Sequence, residues 1–149
     1  MARVALTLVL SLVLAAAAAA QPSSCAPTKA DMLGPFYKAD APERAVTGHG
    51  LVVSGTVRST RGCAALPGAR LEWWSADAGG EYHDELRATQ RTGGDGAFRY
   101  ETVAPGRYPG RPPHLHVKIS AAGHRTLVTQ LYPRDGQRAI ATDFVLVAD

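Results

Sequence analysis

The sequence predicts an all-β protein: a single antiparallel β-sandwich with an N-terminal arm. Three features point there. Short apolar runs rich in β-branched and aromatic residues recur along the chain, and Gly-, Pro- and Asp-rich turns separate them. Beyond residue 20, no helix-length segment keeps a 3.6-residue apolar period.

Residues 1–20 read MARVALTLVLSLVLAAAAAA: Arg3, an apolar stretch from Val4 to about Ala15, then alanines that offer a cleavage site. That is the composition of a secretory signal peptide, with a retained membrane anchor as the alternative. The expected location is secreted or periplasmic. Residues 21–48 form a polar arm containing Leu33-Gly34-Pro35-Phe36-Tyr37. Gly-Pro there can neither continue a helix nor occupy a central strand. The sandwich is expected over 49–149. Its strand candidates are Leu51–Val57, Leu71–Ser75, Ala97–Val103, Leu115–Ser120, Thr126–Tyr132 and Phe144–Val147. Asp31–Met32 and Asp135–Ile140 are expected to carry a helical turn at most. In a strand, Trp73 and Trp74 must face opposite sides, one of them toward the core.

At 149 residues the chain has room for one domain. A formal net charge of +3, with no run of five basic residues, argues against a nucleic-acid partner. The two cysteines, Cys25 and Cys63, stand 38 positions apart. In an exported chain such a pair predicts one disulfide, the alternative being two free thiols.

The chemistry-bearing segment is Arg111-Pro112-Pro113-His114-Leu115-His116-Val117. Prolines fit just before a strand, where their missing N–H groups leave no ladder bond unmade. Strand alternation then turns His114 and His116 to one face, which is half of a metal site. Carboxylates near the motif are few and the thiols are expected to be paired, which disfavours a Cys/His zinc site. Tyr108, six residues before His114, and Tyr82, in the Gly-rich segment AGGEYHDE that reads as a turn between strands, are the conspicuous remaining groups. Either can instead be an ordinary packed tyrosine. If both are ligands, two phenolates with two neutral imidazoles suit mononuclear non-haem Fe(III), an acid strong enough to ionise phenol.

Four segments together, LGPFY (33–37), ADAGGEYHDE (76–85), YPGRPPHLH (108–116) and TQLY (129–132), resemble the intradiol ring-cleavage dioxygenases of catechol and protocatechuate type. The resemblance runs from about Leu33 to Phe144 and implies a β-sandwich. It implies Tyr82, Tyr108, His114 and His116 as iron ligands, with Tyr108 and His116 axial. It implies Arg111 and Gln130 as catalytic groups, joined by Tyr108. Gly34 and Pro35, with Arg111, are implied to bind substrate. The implied reaction opens a catechol with O2 to a muconate-type diacid. One departure concerns the pocket wall: only Pro109-Gly110 separates Tyr108 from Arg111, where other members have a longer loop. A homo-oligomer would have to form without the helical N-terminal region of catechol-type members.

Two other classes compete. The frame through Tyr108 also suits a transthyretin-like or carboxypeptidase-regulatory-like binding module without metal, which leaves PPHLH and Gln130 unexplained. A secreted H-x-H protein binding copper or zinc would make both tyrosines structural.

Overall fold

The computed structural model describes residues 25–149; the leader expected at 1–20 and the first residues of the arm lie outside them. Among the described residues there is no helix, and eight strands form two sheets. They are β1 (Leu51–Ser59), β2 (Arg70–Ala76), β3 (Tyr82–Arg91), β4 (Ala97–Thr102), β5 (Leu115–Ser120), β6 (Leu127–Leu131), β7 (Ala139–Ala141) and β8 (Phe144–Leu146). One sheet has the order β4-β1-β7, with β8 also on β1. The other has the order β3-β2-β5-β6 and is antiparallel throughout.

The all-β expectation holds, with three differences in detail. β7 and β8 run parallel to β1, so the first sheet is mixed. Ala139–Ala141, where at most a helical turn was expected nearby, is a strand. Tyr82–Arg91 is the longest strand, not a turn between strands. It reads as polar because Arg87 and Thr89 are buried beneath the arm, so neither face of the strand shows an apolar stripe.

The core lies between the sheets. Leu71, Trp73, Val117 and Ile119 of one sheet meet Val53, Phe98, Tyr100 and Phe144 of the other. Trp73 stacks on Tyr100 with centroids 4.8 Å apart. Full burial of each such side chain contributes about 1.5–3 kcal/mol.

The opposite face of the second sheet is also covered, and this creates the site. The described part of the arm begins at a Cys25–Cys63 disulfide with Cα atoms 5.3 Å apart. Its backbone then bonds to β8 (Thr28 N to Val145 O, 3.0 Å) and β6 (Asp31 N to Val128 O, 2.9 Å). It crosses the sheet and bonds to β3 at Thr89 and to β4 at Glu101. Strand β2 is buried along almost its whole length because core lies under one face and arm over the other.

Candidate active site

Strand register aligns Arg87, Trp74, His116 and Gln130 in one row across β3, β2, β5 and β6, on the face beneath the arm. His114 precedes β5 by one residue and points the same way, as alternation requires. Both histidines are 2% exposed. His114 Nδ1 donates to Pro112 O at 2.7 Å, which leaves its Nε2 lone pair free. The His116 ring lies flat on Trp74, with centroids 4.8 Å apart and planes at 7°. Trp73 therefore serves the core and Trp74 the site.

The tyrosines arrive from two loops that pack tightly. Gly106 N donates to Asp77 O at 2.7 Å, and a Cβ on Gly106 would lie 2.2 Å from Ala78 O. Only glycine allows this approach, which brings Tyr82 and Tyr108 to a ring separation of 6.0 Å. The short Tyr108-Pro109-Gly110-Arg111 segment is a β-turn. Arg111 N donates to Tyr108 O at 3.0 Å, and Gly110 supplies the positive φ of 79° that follows a proline in a type II turn.

Four side chains converge as a result. His114 Nε2 lies 3.3 Å from Tyr82 Oη, 3.3 Å from Tyr108 Oη and 3.1 Å from His116 Nε2. His116 Nε2 is 3.2 Å from Tyr82 Oη. Such spacings match ligands held at about 2.0–2.1 Å around one ion, and the set of two imidazoles and two phenols suits a hard trivalent metal. Among the described residues, no group of three or more His, Cys, Asp or Glu side chains could hold a metal. The residues present therefore fit iron of the tyrosinate type.

Protonation is consistent with that donor set. Burial, and then the neighbouring His114, lower the pKa of His116 to about 4. Burial likewise lowers that of His114. Both imidazoles are thus neutral, the form in which they ligate. Burial, followed by the adjacent Tyr108 phenol, pushes the Tyr82 hydroxyl well above the ordinary tyrosine range. Only a strong Lewis acid would ionise it there.

The other expected residues line the same site. Arg111 Nη2 donates to Gln130 Oε1, and Gln130 Nε2 donates to the Met32 carbonyl at 2.7 Å. The glutamine thereby ties the arginine to the arm. Gly34, at φ +72°, sits on His116: a Cβ there would be 3.1 Å from His116 Cε1. Pro35 lines a neighbouring cavity of about 330 Å³ with Phe36, Tyr82 and Arg87.

Several contributors carried no sequence assignment. Phe36 stacks on Tyr82 with centroids 4.2 Å apart. Tyr37 packs edge-on against Trp74 and donates to Glu72, which Lys118 also pairs. Tyr132 Oη lies within hydrogen-bond distance of both Asp31 and Gln130. The only local signal for the polar groups was alternation opposite known core positions, and a buried polar row looks like a solvated one until its cover is known.

A family model described as Dioxygenase matches residues 34–148. The dioxygenase domain of a dioxygenase carbohydrate-binding protein fusion from Streptomyces sp. SirexAA-E has 36% sequence identity and a TM-score of 0.74. That match covers 83% of this chain and 99% of the other. A 6-chlorohydroxyquinol 1,2-dioxygenase of Cupriavidus pinatubonensis is 31% identical over 84% of this chain and 56% of its own length. A hydroxyquinol 1,2-dioxygenase of Rhizobium sp. is 31% identical over 72% of this chain and 48% of its own. The chain spans about half the length of these curated relatives.

Proposed function

The chain belongs to the intradiol ring-cleavage dioxygenase family, and on that premise we propose that it opens a catechol-type diol between its two hydroxyl-bearing carbons, using O2 and a mononuclear non-haem Fe(III). The observation that carries the reading is the convergence of Tyr82, Tyr108, His114 and His116 donor atoms within 3.1–3.3 Å contacts, with Arg111 beside them. Fe(III) held there would supply a Lewis acid that ionises the diol and draws electron density from the ring, activating it toward O2.

The chain's own groups do the rest. Tyr82, His114 and His116 would hold the iron. Tyr82 and His116 are backed by Phe36 and Trp74. Tyr108 is half-buried and stands on a turn; with iron bound, its oxygen would take up one of the two catechol protons and solvent the other. Arg111, held in place by Gln130, places a fixed guanidinium beside the electron-rich ring. Such a preorganised charge is worth about 2.7–4 kcal/mol. Trp74 and the arm keep bulk water from the buried histidines. Export through residues 1–20 belongs to the same reading, and the Cys25–Cys63 disulfide supports it.

The test is oxygen uptake and product absorbance with catechol, 4-substituted catechols and hydroxyquinol. Iron-loaded protein should be burgundy, consume one O2 per diol without reductant and give an ultraviolet-absorbing muconate. A yellow semialdehyde, or a requirement for Fe(II) and reductant, overturns the proposal.

A further inference from the structure

Arg87 is a buried cation to which the chemistry above gives no task. It lies on the arm-covered face of β3 and is only 5% exposed. Its Nη1 donates to the Phe36 carbonyl at 2.6 Å, and its Nε donates to Asp84 Oδ1 at 3.0 Å. A buried guanidinium needs such partners, but its partner on the arm has a consequence. The Phe36 ring lies on Tyr82 with planes at 16° and meets Tyr108 edge-on at 6.5 Å. Phe36 is itself 41% exposed, so no surrounding core holds it.

The arm's backbone bonds to the sheets at Asp31 N and again at Pro42 O. Between those points, Gln130 ties the Met32 carbonyl and Arg87 ties the Phe36 carbonyl. We propose that Arg87 is a positioning residue: by holding the Phe36 carbonyl it keeps the Phe36 ring stacked on Tyr82 and so fixes the orientation of that phenol. The proposal rests on the reading that Tyr82 is a working side chain. The planar fork matters as much as the charge. One guanidinium reaches Asp84 and the arm together, whereas a lysine ammonium is a single point donor.

The test uses metal-free protein with isotope-labelled tyrosine rings. The Tyr82 ring resonances carry the ring-current shift of the stacked phenyl. In Arg87→Met they should move toward their position in Phe36→Ala, and Arg87→Lys should move them in the same direction while keeping more of the stability. Arg44→Gln is the control, because Arg44 also anchors the arm, through the Arg87 and Asp84 carbonyls, yet touches no residue stacked on Tyr82. It should lower the melting temperature and leave Tyr82 in place. In the iron-loaded enzyme, Arg87→Lys should raise KM for catechol roughly tenfold, the scale of one charge-assisted hydrogen bond. That increase should vanish in a Phe36→Ala background. Wild-type Tyr82 resonances in both Arg87 variants would overturn the proposal. Failure of the wild-type enzyme to cleave any diol would overturn the proposed function and leave the resonance test standing.

Discussion

Gly34→Ala puts the seating of the arm on the site to a quantitative test. Gly34 has φ +72°, and the added methyl would stand 3.1 Å from His116 Cε1 and 3.6 Å from Nε2. The ring cannot shift freely, because it is stacked on Trp74 at 4.8 Å. Gly136 provides the matched control: its φ is +73°, and a Cβ there meets nothing within 4 Å. Both substitutions place an L residue in the left-handed region, at a cost of about 1–2 kcal/mol. Only Gly34→Ala adds crowding against a buried ring, about 1–3 kcal/mol more. For a domain of this size the control should lose about 4–6 °C in melting temperature, and Gly34→Ala roughly twice as much. Calorimetry of metal-free protein reads the difference. Iron retention against a chelator should fall in Gly34→Ala and stay at the wild-type level in Gly136→Ala. If the two variants match in both measurements, the arm does not bear on His116 and the site is not roofed as described.

Other perturbations separate the remaining roles. Unreduced, denatured protein should show no free thiol, and reducing Cys25–Cys63 should lower stability by up to about 4 kcal/mol for its separation of 38 residues; a KM for catechol that then stays constant would remove the arm from the binding site. His114→Ala and His116→Ala should each lose iron and activity, whereas Tyr108→Phe should keep part of the iron with a shifted colour; equal loss in all three contradicts a displaceable Tyr108. Arg111→Ala should leave the iron spectrum intact and cut turnover roughly a hundredfold, so normal turnover would make it a bystander. In metal-free protein, folding holds His116 at about 4, below its ordinary 6.5, and lowers His114 as well. The unfolded chain then binds protons more readily between those values. Stability should be complete above pH about 6.5 and decline toward pH 4, more steeply than in His116→Gln; parallel urea-midpoint profiles would refute this.

Local patterns revealed much of this molecule. Short apolar runs bounded by turn residues, with alternation in β4, identified β1, β2, β4, β5, β6 and β8 to within a few residues, since each has a face toward the core. The same alternation placed His114 and His116 on one side of β5. It failed for β3, whose Arg87 and Thr89 are polar and buried under a segment remote in sequence. It failed again for β7, which is three residues long with two of them exposed, and so carries no pattern to read.

The sequence by itself determined six of the eight strand-forming segments, the two-histidine face, the short Tyr108–Arg111 connection and the cysteine pair, because each depends on backbone stereochemistry or composition within a few residues. The tertiary structure alone decided that Tyr82 on β3 and Tyr108 after β4 meet the histidines of β5. It also decided that Trp74 and Phe36 back those ligands and that Arg87 holds the arm above them. Those contacts depend on strand order, register and the path of the arm, and no periodicity along the chain encodes which remote residue will stand opposite.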